Sequence, residues 1–401
     1  MSKIVQKYGG SSVGDVEKIK AVAEKIIKEK KTGNDVVVIV SAMGKTTDSL
    51  FSLARQINSM PPRRELDLLL STGEIVSVAL LCMAIENSGY KAIGLPGFLA
   101  GIYTDTVHTR AKIKKIDPKK ILYELANDKI VIIAGFQGIS AEESITTLGR
   151  GGSDLTAIAI AGAINADRCE IYTDVEGVFT TDPRIVPEAK IISEISYEEM
   201  LEMASAGAKV MQARAVEIAQ KYKIPFMVKS TFSERGGTMV KEMTLEEGAV
   251  VTSVTLDEHQ AKITFFNVPD KPGIAAQIFG ELGKENINVD IIVQNVSKQD
   301  HTDLSFTVAS SDMEHALEIS KRQGEELKAA NVICDDNICK ITIIGLGMAN
   351  HPGVAARMFK VLAEEGINIE MISTSEIRVS CVIRKNQGKK ALKSIHNEFF
   401  K

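Results

Sequence analysis

The sequence predicts an α/β protein in which a largely parallel sheet, sandwiched by helices, is followed by two copies of a smaller unit. Three observations support this fold class. Short apolar runs alternate with helical stretches from residue 4 to about residue 231, as in parallel sheets covered by helices. Charge density then rises after the Arg-Gly-Gly sequence at 235–237, and residues 242–248 are typical of a linker. Beyond the linker, one stretch of sequence occurs twice.

The apolar runs of the first region predict its strands, at 36–40, 130–134, 170–173 and 226–229. Each run is β-branched or apolar and ends in glycine or polar residues that start the next element. Residues 15–30 predict an amphipathic helix, because apolar side chains recur every three or four residues while Lys and Glu occupy the other face. The apolar positions of that helix are Val16, Ile19, Val22, Ala23, Ile26 and Ile27.

The second region contains an internal repeat with a constant offset of 80 residues. The first copy has Pro272-Gly273, Ala275-Ala276, Phe279, Leu282, Glu285 and Ile287-Asn288, and the second has Pro352-Gly353, Ala355-Ala356, Phe359, Leu362, Glu365 and Ile367-Asn368. We therefore expect two copies of one unit of roughly 70 to 80 residues. The predicted elements are strands at 262–267 and 340–344, helices at 274–284 and 354–364, second strands at 287–293 and 367–373, and third strands at 303–308 and 378–383.

Composition narrows the classes of function. Of 401 residues, 44% are apolar and 25% charged, which excludes disordered, fibrous and collagen-like proteins. The length exceeds the ~250–300 residues that one core supports, so two or three domains are expected. A formal net charge of −4 gives no overall field that would hold nucleic acid or an anionic membrane. Any anionic ligand must be bound by local groups.

The apolar runs and cysteines favour a cytoplasmic protein. The longest runs, 75–85 and 155–164, are about half of the ~20 residues that a membrane-spanning helix needs, and they indicate buried helices. Residues 1–10 read as a strand entering a glycine turn and not as a secretory leader. The five cysteines are dispersed and odd in number, so we expect reduced thiols and no zinc site.

The first candidate motif is Lys7-Tyr8-Gly9-Gly10-Ser11-Ser12, between an apolar strand and a helix. Consecutive small residues let backbone N–H groups converge on an anion, and the helix N-terminus adds positive potential. Phosphate is the natural ligand, with Lys7 supplying a charge for a transferring phosphoryl group. A tight strand-to-helix turn with a surface lysine is the alternative. The Walker A pattern is absent.

Two further motifs carry hydroxyl groups and glycine. Residues 40–47 follow a strand, where open α/β sheets collect ligands. The sequence Ser71-Thr72-Gly73-Glu74 is predicted to open an apolar helix. Ser71 or Thr72 would then either contact a ligand or simply cap that helix, with Glu74 favoured by the helix dipole.

The fourth motif, residues 147–154, packs three glycines, Arg150, Ser153 and Asp154 ahead of a helix predicted at 155–164. Arg150 can hold a carboxylate through two parallel hydrogen bonds, and the glycine amides with Ser153 can hold further oxygens. A flexible hairpin tip is the alternative. Several glycines close together cost conformational entropy on folding, however, and a bound ligand would explain why they are present.

The fifth motif, residues 172–184, is a strand running into a polar turn with Arg184 at its basic end, and it suits a nucleotide. Lys209 is a second candidate phosphate cation or, alternatively, a solvated charge. Gly345-Leu346-Gly347 follows an apolar strand, but Asn350 replaces the third glycine of a dinucleotide fingerprint, so we exclude that reading.

In this order, the motifs at 7–12, 40–44, 149–154 and 172–174 closely resemble the aspartate kinases of the amino-acid kinase family, and the two repeats resemble ACT domains. The resemblance covers essentially the whole chain. It implies an amino-acid kinase fold followed by two ferredoxin-like βαββαβ units. The implied domains are a catalytic domain at 1–240, a linker and a strand contributed to the regulatory region at 241–261, and ACT units at 262–335 and 336–401. It also implies phosphorylation of the L-aspartate side chain by Mg-ATP, the first step toward lysine, threonine and methionine.

The resemblance implies a set of site residues. The catalytic residues are Lys7, Asp154 and Lys209, with Asp154 organising the lysine. ATP would contact Lys7, Tyr8, Gly9, Gly10, Ser11, Thr173, Asp174, Phe179, Asp182, Arg184 and Lys209. Aspartate would contact Ser41, Thr47, Glu74, Arg150, Gly151, Gly152 and Ser153. No protein cage for Mg²⁺ is evident, as expected for a metal carried by ATP phosphates.

The ACT repeats imply feedback inhibition by lysine, threonine or both. The implied effector residues are Asp270, Gly273, Ile274, Ala275, Asn288, Val289, Asp290 and Gln294 of the first copy, with Asn368, Ile369, Ser375 and Glu376 of the second. ACT units expose sheet edges that normally pair, so a homodimer through this region is expected. Met243 is a candidate start of a separately translated regulatory subunit, with a plain linker methionine as the alternative.

Two rival functions fit the sequence less well. A sister kinase acting on glutamate, N-acetylglutamate or a nucleoside monophosphate is disfavoured by the doubled repeat. A non-catalytic amino-acid sensor is disfavoured by the intact Lys7, Arg150 and Asp154.

Overall fold

The computed structural model describes residues 1–208, 210–243, 250–295 and 300–401. The chain divides into two units. The N-terminal unit comprises Met1–Phe179, Ile191–Ala204 and the described part of Lys209–Thr244. The C-terminal unit comprises Thr180–Lys190, Ser205–Ala208 and the described part of Leu245–Lys401. Most of the predicted linker, 244–248, lies outside the described residues.

The N-terminal unit is α/β, as predicted. Its strands are β1 (Lys3–Tyr8), β2 (Asp35–Val40), β3 (Ala92–Leu95), β4 (Ile102–Thr104), β5 (Ile113–Ile116), β6 (Ile130–Ala134), β7 (Gln137–Ile139), β8 (Ile145–Thr147), β9 (Arg168–Thr173), β10 (Glu194–Ser196), β11 (Phe226–Ser230) and β12 (Thr238–Lys241). Its helices are α1 (Val16–Lys31), α2 (Thr46–Ile57), α3 (Arg63–Asn87), α4 (Lys119–Ala126), α5 (Gly152–Ala163), α6 (Tyr197–Ser205) and α7 (Ala213–Tyr222).

The main sheet of this unit has the order β10-β12-β11-β9-β1-β2-β6-β3, and only the β11–β12 pair is antiparallel. The predicted strands at 36–40, 130–134, 170–173 and 226–229 are all confirmed within it. Because β9, β1, β2 and β6 run parallel side by side, their carboxyl ends meet along one edge. The loops after β1, β2 and β9 carry three of the predicted ligand motifs, at 7–12, 40–47 and 172–184. A smaller sheet, β5-β4-β7-β8, belongs to the same unit.

Helix α1 confirms the predicted amphipathic helix. Asp15 caps it by accepting a hydrogen bond from Lys18 N at 2.9 Å. The predicted apolar positions Ile19, Val22, Ala23, Ile26 and Ile27 are buried, while Val16 at the helix start is exposed.

Helix α3 corrects two predictions. It begins at Arg63 and not at Ser71, because the segment after Pro61-Pro62 is rich in helix-forming Leu, Glu and Arg. Ser71 and Thr72 are therefore not caps, and their hydroxyls donate to the carbonyls of Leu68 and Leu69 one turn earlier.

By length and composition α3 could span a bilayer. Its buried Val78, Leu81 and Ile85 nevertheless pack in one cluster with the apolar face of α1 and with β2 and β6.

The C-terminal unit contains one antiparallel sheet of the order β14-β15-β13-β16-β18-β17. Its strands are β13 (Ser253–Pro269), β14 (Val289–Gln294), β15 (His301–Ala309), β16 (Asn331–Ile344), β17 (Met371–Thr374) and β18 (Arg378–Arg384). Its helices are α8 (Ile274–Lys284), α9 (Met313–Glu326), α10 (Val354–Glu364) and α11 (Gly388–Phe400).

The two copies of the repeat share this sheet through two long strands. The second half of β13 pairs with the first half of β16, as in Ile263 with Cys334, and completes the first copy. The first half of β13 pairs with the second half of β16, as in Val254 with Ile343, and completes the second copy. The first half of β13, which precedes the first copy in sequence, thus belongs to the second copy. The expected division at 335/336 falls inside β16.

The predicted helices α8 and α10 have the predicted bounds, and each begins after a glycine with positive φ, Gly273 at 101° and Gly353 at 97°. The second strands start later than predicted in both copies. The reason is the same in each: Ile287 N still donates to Leu282 O at 3.0 Å, and Ile367 N to Leu362 O at 2.8 Å, so these residues close the preceding helix.

Candidate active site

The candidate site of the N-terminal unit is organised around Lys7, near the end of β1. Its Nζ lies 2.7 Å from Asp154 Oδ1 at the start of α5, and the side chains are 11% and 9% exposed. A lysine this buried needs a counter-charge, which Asp154 supplies. The structure thus brings together two predicted catalytic residues that are distant in sequence, and it directs the ammonium group to the edge where the strands end.

The turns after β1 and β2 touch through their main chains. A Cβ added to Gly10 would lie 2.8 Å from Ala42 O, closer than real Cβ atoms come, and Gly44 N donates to Gly10 O at 3.0 Å. Beside it, a Cβ on Gly9 would meet Lys7 Nζ at 3.4 Å. Only glycine fits at position 10. The predicted Ser11 is exposed and Ser41 half-buried on these same turns.

Tyr8 offers a ligand only its main chain. Its ring is fully buried and stacks on Tyr172 with centroids 4.8 Å apart, and its hydroxyl donates to Gln6 Oε1 at 3.2 Å. This stack joins β1 to β9 beneath the site.

Glu74 lies in the middle of α3, facing the turn after β2. Its Oε1 accepts a hydrogen bond from Ala42 N at 3.2 Å, and within the described chain its buried Oε2 has no hydrogen-bond partner. Burial raises the pKa of the Glu74 carboxyl to about 7, although hydrogen bonds from the main chain oppose that shift. An acid held near half-ionisation with a spare acceptor is suited to bind a cationic group.

The glycine motif at 147–154 forms a loop leading into α5. Gly149 and Gly151 adopt φ of 82° and 70°, conformations that favour glycine, and α5 begins at Gly152. Ser153 Oγ lies where it would be 2.6 Å from a Cβ on Gly135, so it packs on the turn after β6. The Arg150 side chain is 95% exposed, and its Nη2 is 3.6 Å from Asp48, the neighbour of Thr47 in α2.

The predicted nucleotide residues fall into two groups. Thr173 ends β9 and Asp174 follows it, and the Thr173 hydroxyl donates to Asp174 Oδ1 at 3.1 Å. Phe179 forms an isolated antiparallel β-bridge with Ile191. Asp182 and Arg184 form a bidentate pair at 3.0 and 2.8 Å, but they lie on Thr180–Lys190, which belongs to the C-terminal unit. Lys209 lies outside the described residues.

The segment Thr180–Lys190 is bound firmly within the C-terminal unit. Thr180 Oγ1 lies 2.9 Å from His396 Nε2 of α11, and Val254 N of β13 donates to Thr180 O at 2.8 Å. Val186 is buried in the core of the second copy. Sequence reasoning did not anticipate this, because no local pattern distinguishes a loop that packs on a distant element.

The predicted effector residues also fall into two groups, those that line one cavity and those that do not. A cavity of about 370 Å³ is lined by Asp270, Gly273, Ile274, Ala275 and Gln294 of the first copy. Gln294 Nε2 donates to Asp270 Oδ1 at 3.3 Å across this cavity. Asp290 instead pairs with Lys340 of the second copy. Asn288, Val289, Asn368, Ile369, Ser375 and Glu376 do not line the cavity.

Sequence reasoning missed Asp67, His108 and Arg214. Asp67 accepts a hydrogen bond from Thr147 and contacts His108, and Arg214 donates to Leu148 O, so these residues fix the loop at 147–151. The available signal was an aspartate between the buried Leu66 and Leu70 on the apolar face of α3. Within the described ranges, no group of three or more His, Cys, Asp or Glu side chains could hold a metal ion.

Comparison with known families and proteins identifies relatives of the whole chain. The model of the amino acid kinase family matches residues 2–230, and that of the ACT domain matches 267–322 and 341–399. The chain is 48% identical over 405 residues to an aspartokinase of Mycolicibacterium smegmatis, covering 100% of this chain and 96% of that protein.

Two solved structures of E. coli aspartokinase III are similar in fold, each with 26% sequence identity. The R-state complex with aspartate and ADP has a TM-score of 0.85 and is matched over 99% of this chain and 100% of that one. The T-state complex with lysine and aspartate has a TM-score of 0.75 and is matched over 99% of both chains.

Proposed function

The chain belongs to the amino acid kinase family and, within it, to the aspartokinases with ACT domains. We propose below which residues bind each substrate and which take part in phosphoryl transfer. The protein is an aspartate kinase, which transfers the γ-phosphoryl group of ATP to the side-chain carboxylate of L-aspartate and forms 4-phospho-L-aspartate and ADP. This is the first step of lysine, threonine and methionine biosynthesis. The observation that carries the assignment of roles is the buried Lys7–Asp154 pair beside turns that only glycine can form.

Lys7 is proposed to contact the transferring phosphoryl group. The nucleophile is a carboxylate that is already ionised, so the reaction needs no general base, and its barrier is charge crowding and alignment. An ammonium group held by Asp154 is fixed before the reaction and needs little reorganisation as charge shifts between oxygens. The amides of Gly9, Gly10 and Ser11 would bind further phosphate oxygens. Mg²⁺ is proposed to arrive with ATP, where it neutralises phosphate charge.

Aspartate is proposed to bind between Glu74 and Arg150. The spare Oε2 of Glu74 would accept a hydrogen bond from the α-ammonium group, and the exposed fork of Arg150 would hold a carboxylate. Ser41, Thr47, Gly151, Gly152 and Ser153 would supply the remaining polar contacts. Thr173, Asp174, Phe179 and Lys209 are proposed for the nucleotide.

The activity is tested by incubating the protein with ATP and aspartate and trapping the acyl phosphate as hydroxamate. We expect product with aspartate and none with glutamate or N-acetylglutamate. Product with one of the latter alone would instead identify a sister kinase, and no product with any carboxylate would favour a sensor.

The pH dependence of aspartate binding tests the role of Glu74. Its pKa of about 7 means that the neutral carboxyl predominates below that pH and cannot pair with an ammonium group. The KM for aspartate should therefore rise about 5- to 10-fold between pH 8 and pH 6 at saturating MgATP. In Glu74→Gln the KM should be high and independent of pH. A wild-type KM that stays constant over this range would contradict the assignment.

Feedback inhibition is proposed to act through the cavity at Asp270. The T-state structure of the E. coli enzyme contains lysine, and the cavity here offers the Asp270 carboxylate and the Gln294 amide to an amino acid. Whether lysine, threonine or both inhibit is read from the same hydroxamate assay. Asp270→Asn should raise the half-inhibiting concentration about 10-fold or more, because a charge-assisted hydrogen bond is lost. Asp336→Asn, at an exposed position of β16, is the control, and an equal shift in both variants would contradict the proposed site.

A homodimer through the C-terminal unit is proposed because β14 and β17 are the outer strands of its sheet and expose Ile292 and Ile372 at equivalent positions of the repeat. Sedimentation measures the assembly. Intact-mass analysis of protein made from the native gene would reveal a regulatory subunit started at Met243 as a second, shorter polypeptide.

A further inference from the structure

Asp67 is a fully buried carboxylate of α3 that lies outside every predicted motif. Its Oδ1 accepts from Thr147 Oγ1 at 2.5 Å and from Thr109 N at 3.1 Å. Its Oδ2 accepts from Thr109 N at 3.0 Å and lies 2.8 Å from His108 Nδ1, a contact that requires the proton on that nitrogen. Burying a carboxylate is costly, so both oxygens are satisfied by a defined set of donors.

These contacts tie three separate segments together. Thr147 ends β8 and opens the glycine motif, while His108 and Thr109 lie in the connection between β4 and β5. A main-chain hydrogen bond from Ala111 N to Thr147 O, at 2.9 Å, fixes the same two segments to each other. Asp67 therefore anchors the beginning of the loop that carries Arg150.

Helix α7 holds the same loop from a second direction. The Arg214 guanidinium donates to Leu148 O at 2.7 Å and to Ala111 O at 2.9 Å, so it joins the two segments that Asp67 also joins. The Gln212 amide donates to Arg150 O at 2.5 Å. The main chain is thus held at positions 147, 148 and 150, immediately before the left-handed Gly151.

The Arg150 side chain, in contrast, has little to hold it. It is 95% exposed, and its ion pair with Asp48 spans 3.6 Å on an exposed surface, where such pairs contribute little. The main chain therefore sets the point from which the guanidinium extends, and two glycines with positive φ would otherwise leave that main chain many conformations.

We propose that Asp67 is a positioning residue for aspartate binding: through Thr147, His108 and Thr109 it fixes the loop from which Arg150 reaches the substrate. This inference rests on the aspartate role proposed above for Arg150. Asp67 does not touch substrate. Its loss should reduce the fraction of enzyme with Arg150 in place and so raise the KM for aspartate, with smaller effects on ATP.

Two sets of variants test this by steady-state kinetics. Asp67→Asn keeps the shape but turns one acceptor into a donor that faces the donors of Thr147 or His108, and the KM for aspartate should rise about 10-fold. The KM for ATP should change less than about 2-fold. Thr147→Val removes the hydroxyl and should act in the same direction, whereas Thr147→Ser restores the hydroxyl and should return the KM to near the wild-type value.

Glu124→Gln is the matched control, since Glu124 is also a buried carboxylate of the N-terminal unit, held by Lys120 and Lys129 on α4 and the segment after it. If the role of Asp67 were purely structural, Asp67→Asn and Glu124→Gln would both lower the melting temperature. Neither variant would then change the KM for aspartate or the KM for ATP. If Asp67→Asn does not fold, the comparison of Thr147→Val with Thr147→Ser decides.

Arg150→Ala distinguishes an error in the proposed aspartate site from an error in the positioning role of Asp67. If it leaves the KM for aspartate unchanged, the proposed role of Arg150 is wrong. If it raises that KM while Asp67→Asn and Thr147→Val stay within about 2-fold of wild type, the aspartate site stands and the positioning role of Asp67 is overturned.

Discussion

Replacing Lys7 with alanine should lower kcat about 10²- to 10³-fold, with less than about a 3-fold change in the KM for aspartate. The ammonium group is buried, held by Asp154 at 2.7 Å, and lies beside the glycine turn proposed for phosphates. Removing one preorganised donor from a developing negative charge typically has an effect of this size. Steady-state kinetics of the purified variant measure it, and a kcat near that of wild type would remove Lys7 from the mechanism.

A second variant distinguishes catalysis from stability. Lys7→Ala leaves the Asp154 carboxylate buried and unpaired, which costs about 3–5 kcal/mol in comparable pairs. The double variant Lys7→Ala/Asp154→Ala removes that unpaired charge, so its melting temperature should recover in part while its activity stays low. Recovered activity in the double variant would mean that the unpaired Asp154, and not the missing ammonium group, caused the loss.

Replacing Arg150 with alanine should have the opposite kinetic signature. The KM for aspartate should rise about 10- to 100-fold, because two charge-assisted hydrogen bonds to a carboxylate are lost, while kcat changes less than about 5-fold. Stability should not change, since the side chain is 95% exposed and its contact with Asp48 is long. Kinetics at varied aspartate and saturating ATP, with a melting curve, measure both.

Arg150→Lys and Arg55→Ala complete that experiment. Lysine keeps the charge but lacks the planar fork, so it should give an intermediate KM. Arg55 is an exposed arginine of α2, and its removal should leave both kinetic constants unchanged. A fall in kcat for Arg150→Ala without a change in KM would place Arg150 on the phosphoryl group and not on aspartate.

The sequence alone determined the elements whose signals are local. The apolar runs of β2 and β6 and the periodicity of α1 decide those elements within a few residues, and the repeat decides α8 and α10 to the residue. The glycine motifs also revealed where the tight turns lie, because a turn with no room for a Cβ atom requires glycine. The start of α3 was missed because Ser-Thr before an apolar run has the composition of a cap, although helix-forming residues precede it.

Which distant side chains meet depends on the tertiary fold. Asp67 and Thr147 are 80 residues apart, and a lone aspartate on an apolar helix face does not reveal its donors. The pKa of Glu74 depends on burial beneath a turn formed by another strand. The sharing of β13 and β16 and the membership of Thr180–Lys190 in the C-terminal unit are likewise pairing choices between separate segments. Local propensity acts within about one turn or strand, whereas burial, charge pairing and strand register depend on the fold that brings segments together.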